Sequence, residues 1–165
     1  MTTTAPSPHR HRAGAGWLST RPRFIIAHAS RYLGALAVLA TGVAHIEQYA
    51  VDSYSSVPTI GTLFLLNFVG AIVIAIGLVA PIRRVVGRYT DAVRALFAVG
   101  GIGLGALSLV ALFISERSSL FGFHENGYRM AIVSAIVAEV AAVVLLLVFL
   151  VANGTGLQKI GRSSR

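Results

Sequence analysis

Cysteine is absent from the 165 residues. That excludes a disulfide scaffold, a cysteine-ligated zinc or iron–sulfur centre, and thiol catalysis. Charge is scarce: 12% of residues are Asp, Glu, Lys or Arg, against roughly 25% in an ordinary soluble domain. Acids are scarcer still, six against fourteen Lys and Arg. No serine stands in a G-x-S-x-G elbow, and no P-loop is present. No complete catalytic constellation is visible, so no catalytic residue is assigned.

What the chain has in excess is apolar. Hydrophobic residues make up 55% and the mean hydropathy is +0.75. This composition argues against a water-soluble globular domain. The net charge of +8 would suggest nucleic acid in a soluble protein. Here the basic residues flank apolar runs, so the expected partner is the lipid bilayer and no nucleic acid.

A helix that crosses a bilayer needs about 20 mostly apolar residues. Four stretches qualify, at about 31–50, 59–81, 94–115 and 129–152. They are too long and too little alternating for spanning strands, which need about 9–11 residues. The expected fold is all-α: a polytopic membrane protein, an antiparallel bundle of four transmembrane helices over 31–152. Residues 1–30 read as a basic, disordered tail and 153–165 as a second basic tail. The first tail is rich in Thr, Pro, Ser, His, Gly and Arg and cannot bury a core of its own. It fixes orientation, or touches anionic headgroups.

Lys and Arg set topology. Twelve fall on the side of the two tails and the loop between spans two and three, and only Arg117 and Arg129 fall on the other. Both termini are therefore expected in the cytoplasm, with the plasma membrane as the compartment. The first span could be read as a signal peptide. The basic stretch of about 30 residues before it is longer than an n-region, and no clear cleavage site follows.

Ionisable residues inside a membrane are costly and invite a functional hypothesis. His45 lies near the outer end of the first span, Asn67 in the outer part of the second, and Glu139 near the middle of the fourth. Thr41, His45, Gln48, Tyr49 and Asp52 share one helical face. That face must meet other helices or a wet cavity, because lipid leaves polar groups unpaired. The expected result is an outward-opening polar pocket of His45, Gln48, Tyr49, Asn67 and Glu139. His124 and Glu125, in the aromatic outer loop, would lid it. A histidine with carboxylates fits a metal site, a proton-accepting pair or one axial ligand of a haem. It fits equally an interhelical network that fixes register. No cofactor is assigned.

Some patterns carry no chemistry here. Residues 101–106, GIGLGA, match a loose dinucleotide fingerprint with no strand before it. Gly101 and Gly105 instead form G-x-x-x-G and are expected to let a neighbouring helix approach closely. His45-Ile46-Glu47 matches the H-x-E of zinc deaminases, but the cysteine partners are missing. The sequon at Asn153 falls on the predicted cytoplasmic side.

His45-x-x-x-Tyr49, the run from Pro58 to Asn67 and the segment Leu120-Phe-Gly-Phe-His-Glu125 together carry a resemblance. Over about 31–152 the chain resembles small, functionally uncharacterised four-span membrane proteins of high-GC Gram-positive bacteria. The resemblance implies a fold and a compartment, and no activity. Three functions follow from the residues, in order of preference. The first is a non-catalytic accessory or structural membrane component, with itself or another membrane protein as partner. The second is a protein holding a metal, haem or quinone around His45 and Glu139. The third is a small oligomeric proton-coupled transporter with Glu139 as the titrating group.

Overall fold

A computed structural model describes residues 21–51, 58–117 and 130–162. The described residues form helices and contain no strand. Helix α1 spans Arg21–Val51, α2 Pro58–Val79, α3 Arg83–Val86, α4 Thr90–Arg117 and α5 Met130–Arg162, with a 3-10 turn at Gly87–Tyr89 before α4. Four helical stretches are long and apolar enough to cross a membrane: Pro22–Val51, Thr59–Val79, Arg83–Ser115 and Ile132–Gly154.

Two helices run past the limits set by hydropathy. Helix α1 begins at Arg21, so residues 21–30 are helical. Pro22 is tolerated because it falls in the first turn, where its missing N–H is not needed. Within this extension the Ser30 hydroxyl donates to the Ile26 carbonyl at 2.7 Å, and His28 Nδ1 meets the Phe24 carbonyl at 3.0 Å. Helix α5 continues to Arg162, well beyond residue 152. Hydropathy sees only the apolar part of a helix, and backbone hydrogen bonding continues past it.

The stop after α2 is local chemistry. Pro81 has no N–H to give and disfavours helical backbone at Ala80. The Ala80 N–H closes the last turn on the Ile76 carbonyl at 2.8 Å. Gly87 then turns the chain with φ of +51°, a region that L side chains seldom enter. The Thr90 hydroxyl, at the start of α4, donates to the Gly87 carbonyl at 2.6 Å.

Helix α1 packs chiefly on α5 and α2, α4 packs on the same two, and α1 and α4 meet only narrowly. The four long helices therefore make a ring, with α1 diagonal to α4. The dry core is built from Ala35, Val38, Ala71, Ala75, Leu78, Ala98, Ala142, Leu146 and Phe149. Gly101 sits at its centre: a Cβ there would meet Leu146 on α5 at 2.6 Å, and Ile74 on α2 and Val38 on α1 at 3.3 Å each.

The outside is the reverse of a soluble protein. Leu36, Leu66, Ile76, Leu96 and Leu107 are exposed, Leu107 by 71%, while Glu139 is only 3% exposed. Soluble monomers rarely show such continuous apolar surface. A lipid-facing bundle with its polar groups turned inward has this distribution.

Candidate functional site

The site is assembled from polar side chains on all four long helices. The i, i+4, i+7 spacing of Thr41, His45 and Gln48 puts them on the inward face of α1, and all three are buried. Tyr49, one position further round, is half-buried, and Glu47 is exposed. His45 Nδ1 lies 2.9 Å from the Thr41 carbonyl. A carbonyl can only accept, so Nδ1 carries a proton and Nε2 is the face left for other partners. The edge-on ring of Phe64, 5.0 Å away at 88°, fixes the imidazole from the α2 side.

Nε2 faces the Glu139 carboxyl from 3.7 Å. One proton shared out over the pair leaves either imidazole with a carboxylic acid or imidazolium with a carboxylate. Both forms are neutral overall, which is what a buried pair requires. Glu139 also shares a hydrogen bond with Ser108. The Asn67 amide Nδ2 donates to Ser108 Oγ at 2.7 Å, which leaves the hydroxyl proton free for the carboxyl. The line Asn67, Ser108, Glu139, His45, Thr41 thus runs through α2, α4, α5 and α1. One polar atom in it is left over: Asn67 Oδ1 is buried and has no hydrogen-bond partner.

Beside this line is a cavity of about 440 Å³. His45, Gln48, Asn67 and Ser108 are polar residues in its lining, and apolar residues such as Leu104 and Ala111 make up most of the rest. That volume lies in the range of small-molecule pockets, about 300–1,000 Å³, and a mostly apolar wall with a few placed polar groups is their usual make-up. Glu139 stands behind Ser108 and His45 rather than in the wall, and Tyr49 does not line the cavity either. The expected lid residues His124 and Glu125, and Asp52, lie outside the described residues.

Among the described residues no group of three or more His, Asp or Glu is placed to hold a metal. His45 and Glu139 together offer two ligands. For a haem, His45 is the histidine inside the bundle, and the half-buried His28 lies near the other end of α1. Among the described residues, neither group has a ligand set.

Gly105 lets α4 approach the α5 backbone, since a Cβ there would be 3.3 Å from the Glu139 carbonyl oxygen. Gly34, Gly42 and Gly77 make comparable close approaches, to Leu146, Ala71 and Phe97 respectively. Spacing on a single helix does not by itself single out Ser108 or Phe64. A signal for Ser108 exists in hindsight: it continues the inward stripe Ala98, Gly101, Gly105 at i+10.

Comparisons with known protein families, with curated proteins and with solved structures gave no match for this chain.

Proposed function

We propose that this is a non-catalytic plasma-membrane protein that holds one amphipathic small molecule in the cavity beside Asn67. The molecule is mostly apolar and carries a hydrogen-bond donor at its head, as a long-chain alcohol or a quinol does. An unpartnered buried carbonyl costs about 1–3 kcal/mol, and a donor on the ligand would remove that cost. The observation that carries this reading is the orphan Oδ1 of Asn67, a residue that lines an otherwise apolar cavity.

In this reading the bundle is antiparallel, both termini are cytoplasmic and the cavity lies in the outer half. The split of twelve basic residues against two supports the orientation. Contacts of Gly34 with Leu146, His45 with Glu139, Gly42 with Ala71 and Asn67 with Ser108 support the antiparallel order. The bilayer is the partner throughout, and an accessory role beside a second copy or another membrane protein is compatible with the site.

The transporter alternative needs a path past Glu139. On the inner side of Thr41 the core is Ala35, Val38, Ala71, Ala98, Leu146 and Phe149. That dry stretch offers no relay among its buried side chains, and it favours holding over transport.

The test is mass spectrometry of the organic extract from detergent-purified protein. A hydroxyl-bearing apolar molecule retained by the native chain and lost from Asn67→Leu would support the proposal. Equal extracts from the two proteins, with no shift in unfolding temperature on adding a quinol or a long-chain alcohol, would sink it.

A further inference from the structure

At the far end of the bundle from the cavity, the inward stripes of α1 and α4 each finish in an arginine. On α1, Arg31, Ala35, Val38, Gly42 and His45 follow i, i+4, i+7, i+11 and i+14, and all are buried. On α4, Arg94, Ala98, Gly101, Gly105 and Ser108 follow the same offsets. The apolar core is therefore closed at this end by two guanidinium groups across the α1–α4 diagonal.

Neither arginine is satisfied. Arg31 is only 4% exposed, and its Nε is buried with no hydrogen-bond partner. Arg94 Nε is buried and unpartnered as well. The Arg31 guanidinium lies over the Tyr32 ring, 4.6 Å from its centroid. The two cations act on each other, and Asp91 is the carboxylate whose charge reaches Arg94. Asp91 is exposed, and it makes no ion pair with either arginine among the described residues. The neighbouring buried hydroxyls are already committed, Ser30 to the Ile26 carbonyl and Thr90 to the Gly87 carbonyl.

A buried cation facing a half-buried one, each with an unused Nε donor, is unfavourable unless an anion joins them. Arginine's planar fork suits phosphate, and basic pockets between membrane helices suit lipid headgroups. An apolar groove of about 350 Å³ between α1 and α2, lined by Leu39, Ile72, Ala75, Ile76, Val79 and Ala80, lies in the same half and could seat an acyl chain. We infer that Arg31 and Arg94 form a seat for the phosphate of an anionic membrane lipid. The inference rests on the membrane-spanning reading but not on the cavity beside Asn67.

The test uses the full chain in detergent, stripped of lipid, with its unfolding temperature followed as short-chain phosphatidylglycerol, short-chain phosphatidylcholine or inorganic phosphate is added. The native chain should be stabilised by phosphatidylglycerol and much less by phosphatidylcholine. Arg31→Gln and Arg94→Gln should each weaken the phosphatidylglycerol response at least about tenfold, the scale of one lost charge-assisted contact. Without lipid, Arg31→Gln should unfold no lower than the native chain, because it removes one of two facing cations. A purely structural arginine would give the opposite sign. An undiminished lipid response in both variants would overturn the inference. So would inorganic phosphate reproducing the whole shift, which would make free phosphate the occupant. Retention of the cavity molecule should be the same in Arg31→Gln as in the native chain, so failure of one site is distinguishable from failure of the other.

Discussion

The half of the bundle around Gly101 and the half around Asn67 use the same four helices and fill the space between them differently. Around Gly101 the buried residues are Ala35, Ala71, Ala75, Ala98 and Ala142, with Val38, Leu78, Leu146 and Phe149 between them. Helices there come close enough that added atoms would collide. Around Asn67 the helices enclose about 440 Å³ of open space. Association of helices in lipid gains little from the hydrophobic effect, because lipid tails are as apolar as the core. Close van der Waals contact is then the main source of cohesion. The tight half supplies it. The hollow half gives it up, and a region that forgoes cohesion for a cavity is where binding is expected.

The largest effect is expected at Gly42, which sits against α2. A Cβ at this position would lie 2.7 Å from the Ala71 Cβ. That atom is fixed to its own backbone and cannot swing aside, so the helices must separate. Gly42→Leu is expected to lower stability by about 3 kcal/mol, the upper end for overpacking, read as thermal unfolding in detergent. An unchanged midpoint would mean that the α1–α2 contact is not tight, and the comparison would fail.

A smaller loss is expected for Gly101→Ala, because the nearest atom, Leu146 Cδ1 at 2.6 Å, ends a flexible side chain. About 1–2 kcal/mol is the expected cost. Leu146→Ala alone should cost about 2 kcal/mol, the low end for a buried leucine, since lipid supplies no transfer term. The two changes should couple. With Leu146 cut back, the new methyl group gains room, and the double variant should be more stable than the sum of the singles by about 1 kcal/mol. Strict additivity would show that Gly101 and Leu146 do not press on each other.

How far this division could be read from the sequence depends on which physical signal each part leaves. The spans were legible because about 20 apolar residues in a row have few other uses. The helix ends were not, since Arg21–Ser30 and Asn153–Arg162 continue helices that hydropathy had already stopped counting. The inward face of Thr41, His45 and Gln48 was legible because its spacing on one helix is enough to define it. Ser108 was not, because its role depends on Asn67 and Glu139 arriving from two other helices. Glycines show the same limit. Gly101 and Gly103 look alike in the chain, yet a Cβ at Gly103 would meet nothing within 4 Å. Arg31 counted only toward orientation, and its burial emerges only once α1 is extended inward and packed.

In the hollow half the same kind of substitution should be tolerated. Ala111 lines the cavity, so the added atoms of Ala111→Leu have space to occupy. Stability should stay the same or rise by about 0.5–1 kcal/mol, as cavity filling commonly does. Retention of the bound molecule should be lost. A destabilisation as large as that of Gly42→Leu would mean that the cavity is not open space available to a side chain.

The smallest effect is expected at Glu139, and its size decides how the buried pair is charged. Glu139→Gln keeps the shape and a polar atom at each end. The new amide oxygen can accept from Ser108, and the amide nitrogen can donate toward His45 Nε2, which is free to accept while Nδ1 gives its proton to Thr41. If the native pair is imidazole with a carboxylic acid, the amide replaces one neutral donor by another, and stability should change by less than about 0.5 kcal/mol. If the native pair is imidazolium with a carboxylate, the variant leaves a buried cation without its counter-ion, at about 3–5 kcal/mol. Burial of both groups disfavours separated charges, which favours the neutral form and the small change. Glu139→Ala serves as the reference. It strips the partner from both Ser108 and His45 and should cost about 1–3 kcal/mol. A Gln variant as damaged as the Ala variant would show that the carboxylate's charge, rather than its hydrogen bonds, joins the four helices at this depth.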